Sequence, residues 1–147
     1  MMATTHFLAG AAVAKVLRRP QWAWPAATLS YFILDALPHV NAEQYFAFPA
    51  KAVVAGIDVC VGLALVTWLI RGQPDRRVMA GGVAAILLVG LVANATHYLR
   101  WFSRLMPEPH VGNLVVDMVM QLAVFGGALI ILLRGMGGDR GEATADS

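Results

Sequence analysis

Hydrophobic residues run through the chain in five segments that short polar connections separate. The segments cover residues 4–17, 22–37, 52–70, 78–99 and 111–133. Crossing the hydrocarbon core of a bilayer takes about 20 residues, so the first segment is short for a span. We expect it either to tilt or to pack as a hairpin with the second. The pattern predicts an all-α, polytopic membrane bundle of about five helices.

The polar connections carry the residues that end helices. Residues 71–77 contain Gly72 and Pro74 among four charged side chains, which indicates a loop. Trp22 and Trp24 open the second segment, as is typical of an interfacial belt. Residues 135–147 are rich in Gly, Asp, Glu, Thr and Ser and predict a disordered tail. We therefore predict one membrane-embedded domain, residues 1–134, followed by that tail.

Composition supports a lipid environment. The chain is 59% hydrophobic and 14% charged, with a mean hydropathy of +0.64, whereas soluble domains are about 25% charged. Its single cysteine, Cys60, excludes an intrachain disulfide and a cysteine-rich zinc site. The net charge of +2 is spread over several connections, which argues against a nucleic-acid partner.

The basic residues predict an orientation. If the five segments alternate across the membrane, most of the eleven basic residues fall on one side, and only Lys51, Arg100 and Arg104 on the other. The positive-inside rule then predicts an amino terminus outside and a carboxy terminus in the cytoplasm. The basic side holds Lys15, Arg18, Arg19, Arg71, Arg76, Arg77, Arg134 and Arg140.

Small residues recur at four-residue intervals and predict close helix contacts. Such spacing lets helix backbones approach each other in lipid. The longest stripe consists of Ala52, Gly56, Cys60 and Ala64 on the third segment. Shorter ones are the pairs Gly81 and Ala85, and Ala123 and Gly127.

The polar residues within the segments concentrate near one end of the predicted bundle. Asp35 and His39, in the stretch SYFILDALPHVN, are four residues apart, so on a helix they share a face with Tyr31. Pro38 indicates that this helix is ending. Alternating helices bring the remaining polar groups to the same, outer half. They are His6, Asp58, Asn94, His97, His110, Asn113, Asp117 and Gln121.

Spacing and energetics both predict a shared pocket for these groups. His110, Asn113, Asp117 and Gln121 step by 3, 4 and 4 residues and therefore line one helix face. An ionised aspartate in hydrocarbon costs about 2.5–3.5 kcal/mol, so such side chains turn inward and find partners.

Histidine nitrogen and aspartate oxygen are ligands that zinc accepts, and a catalytic zinc needs three protein ligands and an open position. The alternative is a metal-free polar network, in which Asp58 or Asp117 merely forms hydrogen bonds across helices. A proton or ion transporter is less favoured, because no polar relay continues to the arginine-rich side.

Two elements of the sequence carry a family resemblance. The opening TTHFLAGAAVAK and the later SYFILDALPHVN resemble a family of small bacterial inner-membrane proteins described as metal-dependent hydrolases. That family is distantly similar to the all-helical zinc-dependent phospholipase C and nuclease fold. The resemblance implies that His6, Asp35 and His39 are metal ligands. We add Asp58 as a fourth candidate, and expect Tyr31, Asn94, His97, His110, Asn113, Asp117 or Gln121 to complete or orient the ligands. The resemblance covers about the first third of the chain.

Two positions depart from the family pattern. Tyr31 stands where many relatives have a histidine, and the fourth segment lacks a second Leu-Pro-Asp element. We therefore carry two hypotheses. One is a zinc-dependent hydrolase of an ester or phosphoester at the outer leaflet, where a pocket open to the bilayer would favour a lipid-like substrate. The other is a non-enzymatic membrane protein whose outer pocket binds an ion, a lipid head group or a partner. The sequence indicates no oligomeric state.

Overall fold

The computed structural model describes residues 3–37, 49–98 and 114–134, and within them every regular element is an α-helix. The all-α prediction with five helices is therefore confirmed for this part of the chain. The predicted tail, residues 135–147, lies outside the described residues. The helices are α1 (Ala3–Leu17), α2 (Pro20–Ala36), α3 (Ala50–Ile70), α4 (Arg76–Tyr98) and α5 (Leu114–Leu133).

Helices α3, α4 and α5 are each long and apolar enough to cross a membrane. Their outward faces carry many exposed aliphatic side chains, such as Val53, Leu88 and Val119. In water such a surface would be unfavourable, whereas against acyl chains it is the expected one. These three helices therefore identify a membrane protein whose surface contacts the lipid bilayer.

Helix α1 lies at the centre of the bundle. It packs against each of the other four helices, and ten of its fifteen residues are buried. At 1.5 Å per residue it is only about 22 Å long, shorter than the ~30 Å hydrocarbon core. A helix that is surrounded by protein does not have to match the bilayer thickness. The predicted hairpin with α2 is present, but α1 also contacts α3, α4 and α5.

A two-residue connection joins α1 to α2. Arg18 has a φ of 57°, the left-handed conformation that commonly ends a helix, and its amide donates to the Ala14 carbonyl at 3.0 Å. Arg19 is extended and Pro20 occupies the first position of α2, where a missing N–H costs nothing. The turn is so short that α1 and α2 must run antiparallel and in contact.

Small residues allow close contact between α1 and its neighbours. A β-carbon on Gly82 of α4 would lie 2.7 Å from the Gly10 carbonyl oxygen, and one on Gly62 of α3 would lie 2.7 Å from the Thr4 α-carbon. Gly81 packs against the Trp24 ring of α2. The contact predicted for Gly81 is therefore present.

The longest predicted small-residue stripe faces outward instead. Ala52, Gly56, Cys60 and Ala64 are all exposed, and a β-carbon on Gly56 would meet nothing within 4 Å. Ala123 and Gly127 of α5 are exposed as well. Helix α3 uses Gly62, Val66 and Leu69 for its buried face. The prediction of close packing within the bundle was wrong for these two stripes, because spacing alone does not say which face of a helix meets protein.

Candidate functional site

The first two turns of α1 form the candidate site, since they contact polar side chains from two other helices. His6 is 3% exposed, and its Nε2 lies 3.5 Å from Oδ1 of Asp35 in the last turn of α2. The antiparallel hairpin explains this pairing, because the start of α1 must lie beside the end of α2. Of the three predicted metal ligands within the described residues, His6, Asp35 and Asp58, the structure thus places the first two side by side.

Tyr31 completes the contact from one turn earlier on α2. Its ring stacks on the His6 imidazole with 4.6 Å between ring centroids and 28° between planes. On α4, a β-carbon added to Gly90 would lie 3.4 Å from the Tyr31 ring. The ring of Tyr31 thus lies between His6 and the backbone of α4. This packing restricts how the imidazole can rotate.

One side of the His6–Asp35 pair is accessible. The Asp35 side chain is 39% exposed, whereas the His6 side chain is 4% exposed. The His6 Nδ1 atom is buried and has no hydrogen-bond partner within residues 3–37, 49–98 and 114–134. A buried polar atom without a partner costs about 1–3 kcal/mol, so this nitrogen is a point where a ligand or a water molecule would add stability.

Asp58 of α3 has a different environment. Its carboxylate accepts hydrogen bonds from the Thr4 hydroxyl at 2.6 Å and from the Ala3 amide at 2.5 Å, with a longer one from the Thr4 amide. The same hydroxyl also contacts the Asp58 carbonyl at 3.0 Å. A carboxylate at a helix N-terminus binds amides that have no intrahelical acceptor and complements the helix dipole. Asp58 thus caps α1 from a neighbouring helix.

Two polar residues of α5, the buried Asp117 and the half-buried Gln121, form a second polar face. Asp117 is 5% exposed, and its Oδ1 and the Gln121 Oε1 have no hydrogen-bond partner within the described part of the chain. They are one turn apart, as their spacing predicted. Asp117 is fifteen residues before Leu132, about 22 Å along the helix. Leu132 contacts Lys15 in the last turn of α1, so Asp117 lies about 22 Å along α5 from that end of α1.

The other predicted site residues are described less completely. Helix α2 ends at Ala36, and Leu37 is extended because a residue that precedes proline avoids the helical conformation. His39 follows this break and lies outside the described residues, as do His110 and Asn113. The prediction that His39 shares a helix face with Asp35 assumed a helix that continues to residue 39, whereas α2 ends at Ala36. Asn94 and His97 lie near the end of α4.

A complete metal centre is not present among the described residues. No group of three or more His, Cys, Asp or Glu side chains that could hold a metal ion occurs within residues 3–37, 49–98 and 114–134. The His6–Asp35 pair supplies one nitrogen and one oxygen donor. The zinc prediction stays a prediction.

Sequence reasoning did not find Thr4, Lys15 or Gln73. Thr4 was treated only as the start of an apolar segment, although a threonine pair directly before His6 is a polar signal. Lys15 Nζ and the buried Gln73 Nε2 both donate to the Leu132 carbonyl, at 2.7 and 2.8 Å. Lys15 was counted for orientation and Gln73 was assigned to a loop. Nothing in the sequence links either residue to position 132.

Comparison of the sequence and the structure with protein-family models, with curated proteins and with solved structures finds no match. The class of protein is therefore given by the fold alone: an all-helical bundle with three helices able to cross a membrane.

Proposed function

We propose that this membrane protein binds a divalent cation, most readily zinc, through His6 and Asp35 and uses it to hydrolyse an ester or phosphoester at the membrane surface. The separation of the two donor atoms supports the proposal. Two ligands of a tetrahedral zinc, each about 2.0–2.1 Å from the ion, are about 3.4 Å apart. His6 Nε2 and Asp35 Oδ1 are 3.5 Å apart. The pair fits a shared ion without a movement of either helix.

The surroundings of the pair also suit cation binding. A direct N–H···O hydrogen bond is usually 2.7–3.2 Å long, so the 3.5 Å between His6 Nε2 and Asp35 Oδ1 is longer than such a bond and closer to the spacing of two atoms that share an ion. His39, which the family resemblance implies as a third ligand, follows Asp35 by four residues and remains a candidate. Asp58 is a weaker candidate, because its carboxylate accepts the Ala3 and Thr4 hydrogen bonds.

The side chains around the proposed ion have different roles. A bound zinc would lower the pKa of a coordinated water towards about 7 and supply a nucleophile. Tyr31 holds the imidazole plane through ring stacking. The Asp35 side chain is partly exposed, so the pair is accessible from that side. A substrate that approaches from the bilayer surface would reach Asp35 before His6. An ester or phosphoester carried by a lipid-like molecule fits that approach.

The orientation that we propose places this site on the outer side of a bacterial inner membrane. His6 and Asp35 lie at the opposite end of the α1–α2 hairpin from Arg18 and Arg19. The positive-inside rule assigns the arginines to the cytoplasm. A reporter that is active only in the cytoplasm should be active when fused after residue 19 or residue 73, and a reporter that is active only in the periplasm should be inactive at both positions. Activity of a periplasmic reporter at either position would reverse the orientation.

A second candidate function is a non-enzymatic one, in which the outer polar pocket binds an ion, a lipid head group or a partner without hydrolysis. One observation favours it: the described residues contribute two donors to the pair, and no third His, Cys, Asp or Glu joins them. The two functions share the ion-binding pair and differ in turnover.

Metal analysis of the purified, detergent-solubilised protein tests the proposal. After incubation with zinc and removal of excess metal, the wild type should retain about one ion per chain. His6→Gln and Asp35→Asn should retain far less, because each removes one donor. Asp75→Asn, in the loop before α4, is the matched control and should bind like the wild type. Equal retention by all four proteins, or no retention by any, would refute cation binding at this pair.

Turnover of a chromogenic phosphodiester and of a chromogenic ester by the zinc-loaded protein then separates the two functions. Hydrolysis by the wild type and the Asp75→Asn control, lost in His6→Gln, supports the enzyme. Stoichiometric zinc without turnover of either compound, or of lipid-like versions presented in vesicles, supports the non-enzymatic alternative.

A further inference from the structure

An apolar groove runs between α1 and α5 in the half of the bundle away from His6. It has a volume of about 390 Å³, within the ~300–1,000 Å³ range of small-molecule sites. All of its lining side chains are aliphatic, and Val16, 64% exposed, lies at its open edge. The groove therefore opens towards the surrounding membrane. Its principal lining residues are Ala9, Ala12 and Val16 of α1 and Val124, Ala128 and Ile131 of α5.

The dimensions of the groove match one leaflet. From Ala9 to Leu17, both of which line it, α1 rises about 12 Å. Half of the hydrocarbon core is about 15 Å thick. An acyl chain lying along the groove would thus be in contact with protein for most of its depth in that leaflet. The alanines at positions 9, 12 and 128 leave the space that such a chain would occupy.

Positive charge closes one end of the groove. Lys15 extends from α1 to α5, where its ammonium donates to the Leu132 carbonyl at 2.7 Å, next to the lining residue Ile131. An ammonium has three N–H donors, and this carbonyl takes one of them. Arg134, exposed, follows directly after α5. Arg18, 77% exposed, follows directly after α1 and lies 3.9 Å from the Asp75 carboxylate, so three basic side chains and one acidic side chain leave this end with a net positive charge. A phosphate group at this end would meet three basic side chains.

We propose that the α1–α5 groove is a binding site for an anionic phospholipid, with one acyl chain in the groove and the phosphate at Lys15, Arg18 and Arg134. Charge complementarity selects this occupant, because an apolar slot that ends in basic side chains at membrane-surface depth matches a lipid of that charge. One basic residue near an anionic membrane surface contributes about 1 kcal/mol. The site is separate from the His6–Asp35 pair and does not depend on the function proposed for it.

Native mass spectrometry of the full chain tests the site, with phosphatidylglycerol and phosphatidylcholine of identical acyl chains offered at equal concentration. The wild type should retain phosphatidylglycerol at least about fivefold more, the equivalent of about 1 kcal/mol. Val124→Trp fills the groove and should lose the bound lipid. Val61→Trp places the same ring on an exposed position of α3 and should behave like the wild type.

A charge variant separates the two parts of the site. Arg134→Gln should reduce phosphatidylglycerol retention more than phosphatidylcholine retention, because only phosphatidylglycerol has a net negative charge. Arg77→Gln, at the start of α4, should leave the preference intact. Circular dichroism confirms that each variant is folded. Equal retention of both lipids by the wild type, or equal binding by Val124→Trp and Val61→Trp, would overturn the proposal. A chain dimer that only Val124→Trp disrupts would overturn it in favour of a second copy in the groove.

Discussion

Gly82 of α4 lies against the Gly10 carbonyl oxygen of α1, so that the two helices meet through their backbones. A β-carbon on Gly82 would lie 2.7 Å from that oxygen and 2.8 Å from the Ala14 β-carbon. Real β-carbons do not approach other atoms so closely, and a backbone atom cannot rotate away as a side chain can. This contact fixes the distance between α1 and α4.

Gly82→Ala should therefore destabilise the protein by about 1–3 kcal/mol, the range for overpacking a close contact. The matched control is Gly127→Ala on α5, where a β-carbon meets nothing within 4 Å. Because alanine is the better helix former, that change should be neutral or stabilise by up to about 1 kcal/mol. Denaturant titration of the detergent-solubilised proteins measures both. Equal stability of the two variants would show that α1 and α4 are not in backbone contact.

Asp58→Asn and Thr4→Val each remove part of the cap on α1. Each should cost about 0.5–2 kcal/mol, the range for losing a helix N-cap. The double variant should cost less than the sum, because the Thr4 hydroxyl and the Asp58 carboxylate are 2.6 Å apart and act on each other. Unfolding curves of the four proteins complete this cycle, with Asp75→Asn as the control. Additive losses would contradict the coupling.

The same variant distinguishes a cap from a metal ligand. If Asp58 only caps α1, Asp58→Asn lowers stability and leaves zinc retention at the wild-type level. Loss of the metal in a folded Asp58→Asn protein would instead support the ligand role that its sequence position first indicated.

Lys15 and Gln73 should be partly redundant, because both donate to the Leu132 carbonyl. That carbonyl lies in the last turn of α5, where helix geometry leaves acceptors in need of partners. Lys15→Met or Gln73→Met alone should cost about 0.5–1.5 kcal/mol. Together they leave the acceptor unsatisfied and should cost more than the sum of the single losses. Thermal unfolding of the three variants measures this, and an additive result would mean that the two bonds are independent.

Arg18→Gly should stabilise the α1–α2 turn by about 1 kcal/mol, because glycine adopts a φ of 57° without the strain of a side chain. The contact between Arg18 and Asp75, 3.9 Å long and mostly exposed, contributes little to the balance. Arg19→Gly is the matched control: Arg19 has a φ of −99°, so glycine there only loosens the unfolded chain and should destabilise. The opposite ranking in thermal unfolding would disprove the role of the left-handed conformation.

The helix boundaries were predictable because each apolar segment ends at a proline, a glycine or a charged cluster. The predicted third segment, 52–70, and the observed α3, Ala50–Ile70, end at the same residue. Proximity of His6, Tyr31 and Asp35 was also predictable, since alternating helices bring the start of one and the end of the next together. These predictions depend on length and order along the chain.

The packing faces were not predictable, because in a membrane the lipid-facing side of a helix is as apolar as its buried side. Gly62 is buried while Gly56 on the same helix is exposed, although both belong to stretches of small residues. The central position of α1 was missed for a related reason. Its short length predicted only a tilted helix or a hairpin with the second segment, whereas its many small residues make it the helix that four neighbours can approach.

The central position of α1 has a consequence for biogenesis. This helix precedes its partners in the chain, so the ribosome delivers it to the membrane before any of the helices that later cover it. Until α5 has been synthesised and inserted, Ala128 and Leu132 cannot pack on α1, and Lys15 cannot donate its hydrogen bond to the Leu132 carbonyl. The other helices thus pack around α1 after it has been inserted. A chain that ends before α5 would leave one side of α1 exposed.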